Sequence, residues 1–397
     1  MLKPNVSHCI NENEVHYNPH TFADEYLTFV AKENGTFTFT PQNNNVISYS
    51  TDNGSTWTQG TSVTVSNGDK VMWKGTMTPS NDGIGNFSST ANFDVQGNAM
   101  SLLYGDNYMG QTNLTGKTYV FRQLFKNNTK VISAEKLSLP ATKLAEDCYQ
   151  GMFAGCTNLT TAPELPATTL AIKCYESMFS SCTNLTTAPE LPAATLANGC
   201  YSYMFYNCKN LTTAPELPAT TLANYCYSSM FFYCTNLTAA PELPATTLAG
   251  SCYYEMFYGC TSLITAPELP ATTLANSCYN SMFRSCSNLT TAPELPATTL
   301  AESCYNSMFY YCTRLTAAPE LPATTLAQYC YSYMFYHCTK LNYIKAMFTT
   351  TPSNTYTQNW VNGAASSGTF VKNAAATWNV SGVSGIPNGW KVETATA

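Results

Sequence analysis

Leu237-Thr-Ala-Ala-Pro-Glu-Leu-Pro-Ala-Thr-Thr-Leu-Ala-Gly-Ser-Cys252-Tyr-Tyr-Glu-Met-Phe-Tyr-Gly-Cys260-Thr-Ser262 is one full unit in a run of near-copies. Its two cysteines set the phase. Cys148, Cys174, Cys200, Cys226, Cys252, Cys278, Cys304 and Cys330 follow at intervals of 26, and so do Cys156, Cys182, Cys208, Cys234, Cys260, Cys286, Cys312 and Cys338. Sixteen of the 17 cysteines are repeat positions, with Cys9 left over. Self-similarity at a fixed period of this size is the signature of a solenoid, in which each unit buries its apolar face against its neighbours.

The segment Cys-Tyr-x-x-Met-Phe-x-x-Cys predicts a short helix. At roughly 100° per residue its fixed positions fall within about 140° of arc and the four x positions fall on the other side. Cys, Tyr, Met and Phe should therefore face inward and the x positions outward. The Leu-Thr-Thr-Ala-Pro-Glu-Leu-Pro segment is extended, since Pro163 and Pro166 disfavour helix at Ala162 and Leu165. One short strand per unit, stacked in parallel at about 4.8 Å, is the expected result.

Cysteines eight apart on a helix are separated by about 12 Å of rise, beyond the reach of a disulfide. Bonds between units would need helices closer than their usual packing distance. Free cysteine otherwise behaves as a small buried hydrophobe, so reduced core thiols are expected. No CxxC or histidine partner accompanies them, and no metal is expected at these positions.

The run Leu-Pro-x-x-x-x-Leu-Ala-x-x-Cys-Tyr-x-x-Met-Phe-x-x-Cys-Thr-Asn-Leu resembles the BspA-like, Treponema-type leucine-rich repeat, over roughly residues 120–345. Two features depart from that family's pattern: the period is longer, and Ala-Pro-Glu stands where the strand has its middle aliphatic residue. The resemblance implies an α/β repeat solenoid of the kind found on Bacteroides-type bacterial surfaces and on their phages. There it implies adhesion or recognition, not catalysis.

Residues 1–23 read as an N-terminal tail. Residues 24–119 alternate like strands (Tyr26-Leu-Thr-Phe-Val30, Thr36-Phe-Thr-Phe-Thr40, Val46-Ile-Ser-Tyr49), with turn signals at Asn53-Gly54, Asn67-Gly68 and Asp82-Gly83. A small Ig-like β-sandwich is expected there. Val120-Phe-Arg-Gln-Leu124-Phe-Lys-Asn-Asn128 aligns with the repeat segment, Val and Asn replacing the two cysteines. It reads as a degenerate cap whose outer face should be more polar, opening a solenoid of eight repeats over 120–345. Residues 346–397 form a β-rich cap, with short strands at Asn359-Trp360-Val361, 368–372 and Gly389-Trp390-Lys391-Val392.

Charged residues make up only 11% of the chain against an ordinary share of about 25%, so Thr, Asn, Ser and Tyr must cover the surface. A net charge of -6 and a pI near 5.3 supply no basic footprint for nucleic acid or an anionic membrane, and neither partner is expected. No apolar stretch is long enough for membrane insertion. Met1-Leu-Lys-Pro-Asn5 leads into no apolar run, so no secretory signal is expected in this chain.

Motifs that invite chemistry carry little of it. Ser50-Thr-Asp52-Asn-Gly-Ser-Thr56-Trp57 matches the Asp-box of sialidase propellers, but a single copy reads as a hairpin brace. His8, Cys9, His16 and His20 share a polar terminus broken by Asn18-Pro19, which argues against a metal site. His337 stands alone. No nucleophile, base or paired-carboxylate constellation is visible, so neither an enzyme nor a cofactor is expected. Glu164, Glu190, Glu216, Glu242, Glu268, Glu294 and Glu320 recur once per unit; the ladder could hold divalent cations, or each could be splayed into solvent.

The variable positions are more informative. Tyr203, Tyr206, Phe232, Tyr233, Tyr254, Tyr258, Tyr310, Tyr311, Tyr333 and Tyr336 occupy outward x positions among Ser, Asn and Gly. Tyr225 and Tyr329, just before their cysteines, should fall on the same side. This is the residue vocabulary of paratopes, and aromatic faces also stack on sugars. Two readings stand: a binding surface, or rings packed as filler between neighbouring units. The expected function is surface recognition of a bacterial glycan or protein, on a phage virion fibre or decoration protein. A bacterial cell-surface adhesin and a purely structural spacer are the alternatives, and the N-terminal domain is the expected contact to other virion or surface proteins.

Overall fold

The computed structural model describes residues 20–395; His8, Cys9 and His16 lie outside them. The alternating segment forms β1 (Leu27–Ala31), β2 (Gly35–Pro41), β3 (Ile47–Ser50), β4 (Thr58–Gln59), β5 (Ser62–Val65), β6 (Lys70–Gly75), β7 (Gly85–Ser89) and β8 (Phe93–Asn98). They build two sheets, of order β5-β2-β7 and β4-β3-β6-β1-β8, the second extended by β9 (Val131–Ser138). Inward residues alternate along the strands, so the sheets meet through aromatic rings: Phe29 lies 5.4 Å from Phe37 and 4.7 Å from Phe87. The Asp-box is a hairpin brace between β3 and β4. Asp52 accepts hydrogen bonds from Ser50 Oγ (2.7 Å), Thr56 N (2.9 Å) and Thr56 Oγ1 (2.6 Å). The two Thr56 bonds do most to hold its carboxyl down at about 2.

The helix predicted for each repeat is not formed. Cys-Tyr-x-x-Met-Phe-x-x-Cys is a ribbon of consecutive turns in which every fourth residue has left-handed backbone, as at Asp147 (φ 53°), Gly151 (58°) and Gly155 (76°). Alternate N–H groups close local turns, such as Met152 N to Tyr149 O at 3.1 Å, while those between them donate to the next coil, such as Phe153 N to Met178 O at 2.9 Å. An α-helix would satisfy all of these donors within itself. Here a stacked neighbour lies beside every coil, and half of the donors are spent on it. The inward set is nevertheless the one expected: Cys, Tyr, Met, Phe and Cys of every unit are buried.

The expected strand is also reduced. In the central units the extended segment forms isolated parallel bridges, such as Thr187 with Thr213 and Thr195 with Thr221, on either side of the Pro-Glu-Leu-Pro run. Each proline removes a ladder donor. Regular strands appear where the prolines are missing, in β9 and in β10 (Tyr343–Ala346). All seven ladder glutamates are exposed, and Glu320 pairs with Lys345 at 2.9 Å.

Stacking makes the core one-dimensional. Consecutive Tyr149-type rings lie 5.6–5.9 Å apart over Tyr149–Tyr331 and within 9° of parallel. The Phe153-type rings form a second such column, for example Phe205–Phe231 at 5.7 Å. The thiol of each second cysteine donates to a phenylalanine carbonyl of the preceding coil, as Cys234 Sγ does to Phe205 O at 3.1 Å. All sixteen repeat cysteines are free and buried in the core, where they pack as small apolar side chains.

The first coil is capped differently from the expectation of a polar outer face. Its outer side is covered by the sandwich. Phe87 of β7 stacks on Phe125 at 5.7 Å and so continues the phenylalanine column. Asn128, standing where later coils have cysteine, donates through Nδ2 to Phe87 O at 3.0 Å, as the thiols do to their own preceding coil. Asn128→Ala should cost about 1–3 kcal/mol by stranding that carbonyl. Hydrogen exchange should show the loss concentrated at the sandwich–solenoid junction; uniform loss along the chain would contradict this.

At the other end β11 (Thr369–Lys372) and β12 (Lys391–Thr394) extend β10 in parallel. Asn359-Trp360-Val361, predicted as a strand, is a further turn coil instead, because Phe335 N and His337 N donate to Trp360 O and Asn362 O as they would to another repeat. Trp360, Trp378 and Trp390 close the core, and each indole N–H finds a carbonyl, at 2.9, 3.2 and 2.7 Å. No helix among the described residues is long and apolar enough to cross a membrane.

Candidate functional site

The turn ribbon arranges the x positions of successive units into columns on the outer side of the solenoid. One column reads Ala154, Ser180, Tyr206, Phe232, Tyr258, Arg284, Tyr310, Tyr336. From Tyr206 onward it is continuous. Tyr206 stacks on Phe232 (4.8 Å), Phe232 on Tyr258 (4.4 Å), and Tyr310 on Tyr336 (4.6 Å). Arg284 closes the gap, its guanidinium 5.3 Å from the Tyr258 ring and 4.1 Å from that of Tyr310. These rings are half-buried and pack against one another.

Three other columns hold the left-handed positions. Ser, Gly, Asn or Asp fills most of them, the residues for which that backbone costs least. Lys173, Glu255 and His337 are exceptions, with φ of 53–56°, and so are Tyr203, Tyr225, Tyr233, Tyr311, Tyr329 and Tyr333, with φ of 54–60°. Of these tyrosines all but Tyr333 are also exposed, at 37–56%. A bulky residue held left-handed costs about 1 kcal/mol or more. Tyr233 and Tyr311 offset part of it by packing edge-on or tilted against Phe232 (4.7 Å) and Tyr310 (5.0 Å), while Tyr225 and Tyr329 make no ring contact among the described residues. Tyr233 leans over Gly259, where any side chain would clash with its ring. Tyr311 stacks with His337 at 4.8 Å.

All twelve predicted aromatics thus lie on one side of the solenoid but in two roles. Tyr206, Phe232, Tyr258, Tyr310 and Tyr336 pack in the ladder, with Tyr333 beside its end, 5.9 Å from Tyr336. Tyr203, Tyr225, Tyr233, Tyr311 and Tyr329 project from strained backbone. Tyr254 belongs with Tyr203 and Tyr225, since the three line an open cleft of about 560 Å³. Ile172, Lys173 and Glu176 also line it, beside small and polar residues of the same columns. Sequence reasoning passed over these three and Arg284. They occupy the same columns as the chosen tyrosines or adjoin them, so tabulating every residue type by column would have found them.

The electrostatics of this face are mild. Lys173 Nζ lies 3.5 Å from Glu176. Glu255 is half-buried, and desolvation holds its carboxyl above the usual range, against bonds from Tyr254 and Ser229 that lower it. Among the described residues no group of three or more His, Cys, Asp or Glu is placed to hold a metal ion.

Stacked parallel coils with a variable outer face and an invariant core define a leucine-rich-type repeat protein. A family model described as BspA type leucine rich repeat region matches residues 118–254 and 227–359, with six copies. Those spans cover more than half of the chain, which belongs to the BspA-type leucine-rich repeat family. A search of curated proteins finds no match.

Proposed function

We propose that this protein is a non-enzymatic surface recognition protein, carried on a phage virion as a fibre or decoration protein, that binds a bacterial surface glycan or protein through its outward tyrosines. The observation that carries the reading is the placement of exposed tyrosines on left-handed backbone. Sister units hold Ser at the same positions, so the fold does not require the ring there. Selection for stability would remove such residues; selection for contact would keep them. Family membership is consistent with surface recognition. The stacked ladder beneath also supports a second reading, a stiff structural spacer.

The two are separated by a variant in which Tyr203, Tyr225, Tyr233, Tyr311 and Tyr329 are all replaced by Ser. Because Ser already fills these columns, the variant should stay folded, with the lost ring contacts of Tyr233 and Tyr311 setting any fall in melting temperature. Aromatic anchors contribute about 1–2 kcal/mol each at an interface, so attachment of labelled protein to receptor-bearing bacterial cells should weaken more than about tenfold. Undiminished attachment by the folded variant would remove the recognition role from this face and leave the spacer.

A further inference from the structure

We infer that the cleft bounded by Tyr203, Tyr225 and Tyr254 is a saccharide site that takes the ring of a neutral hexose; this rests on the recognition reading above. Its volume, about 560 Å³, falls in the range of small-ligand pockets, about 300–1,000 Å³. The concavity has a sequence cause: Gly199, Ser202, Ser228 and Ser251 place small side chains among columns that elsewhere carry rings.

Three properties select the ligand class. The first is the pair of hydroxyls at Ser228 and Ser251. Both residues line the cleft, each is largely buried as a whole, and neither Oγ makes a hydrogen bond among the described residues. By contrast, Ser202 Oγ is used within the fold, donating to Ser228 O at 3.3 Å. Neither oxygen is a buried unsatisfied atom, so each is open to the cleft and can exchange water for the hydroxyl of a polyhydroxylated ligand. The second is the tyrosine walls, whose electron-rich faces suit the polarised C–H face of a pyranose ring.

The third is charge. Lys173 and Glu176 are 3.5 Å apart and neutralise each other, and Glu255 nearby is engaged by Ser229 at 3.4 Å. Among the described residues lining the cleft the one cation, Lys173, already faces the Glu176 carboxylate, so an anionic sugar or a phosphate would meet a repulsive neighbour there. An extended peptide is disfavoured too, because the ribbon N–H groups are already spent: Tyr203 N donates to Ser228 O and Tyr225 N to Gly250 O. Side-chain hydroxyls are left to read the ligand.

The test is saturation-transfer NMR on the whole chain with the methyl glycosides of glucose, galactose and mannose, alongside sialic acid methyl glycoside and glucose 6-phosphate. At least one neutral glycoside should receive saturation, with affinity about tenfold weaker in Tyr225→Ser and in Ser228→Ala and unchanged in Glu268→Gln, an exposed position outside the outward tyrosines. Binding that survives Tyr225→Ser, binding of the anionic probes alone, or no binding of any neutral glycoside would overturn the inference. If one of those results came with cell attachment still abolished by the five-tyrosine variant, recognition would stand with a different ligand. Normal attachment by that variant would remove both.

Discussion

The solenoid is expected to unfold within a narrow interval of pH soon above 9. Burial pushes the core thiols up, to about 12 for Cys148 and Cys226, from an ordinary value of 9.0. The sign follows from the direction. Below pH 9 folded and unfolded chains both keep these protons, and the contribution to stability is fully present. Between 9 and about 12 the unfolded chain loses protons that the folded chain retains, so stability falls as pH rises. Each thiol contributes about 1.4 kcal/mol per pH unit in that window. Sixteen buried thiols together reach roughly 20 kcal/mol per pH unit, larger than the whole stability of an ordinary domain. The tyrosine column, whose hydroxyls burial also holds well above 10.0, adds to the slope at higher pH. Circular dichroism and ultraviolet thiolate absorbance, followed together through an alkaline titration, should change at one pH. A thiolate signal that climbs gradually while the circular dichroism stays native would mean the thiols are solvated, contrary to their burial.

The second large effect is expected at the ring columns. Phe231 is fully buried between Phe205 and Phe257, at 5.7 and 5.6 Å. Phe231→Ala removes a ring from the middle of a column and leaves a cavity that rigid neighbouring coils cannot fill, at a cost of about 3–5 kcal/mol. Because each coil touches only its neighbours, that loss should weaken the coupling between the two halves and broaden the urea transition. Tyr225→Ser, one residue before the buried Cys226, should change stability by no more than about 0.5 kcal/mol, or raise it by relieving left-handed strain. Urea denaturation of the two variants beside the parent is the check. Similar small losses in both would show that the ring column is not what couples the coils.

Much was legible in the sequence because a solenoid repeats its instructions. The period of 26 and the inward set of Cys, Tyr, Met and Phe are each stated eight times, so chance agreement is averaged away and the outward variable aromatics stand out against them. The strands β1, β2 and β3 were legible through alternation between turn signals. The backbone that carries the inward set was not. Residues at i, i+1, i+4, i+5 and i+8 fit a helix of 3.6 residues per turn and a ribbon of four-residue turns almost equally, since the two drift apart by only about 40° per turn. Only the neighbouring coil breaks the tie, by accepting half of the N–H groups that a helix would keep for itself. The same holds for Asn128, whose sequence position marks it as a degenerate cysteine, whereas its bond to Phe87 depends on a sandwich that arrives from earlier in the chain. For the candidate site, the sequence placed twelve aromatics on one face by periodicity. Tertiary structure alone sorted them into a packed ladder and a set of exposed rings, because left-handed φ and stacking between coils are properties of the assembled solenoid that no single unit contains.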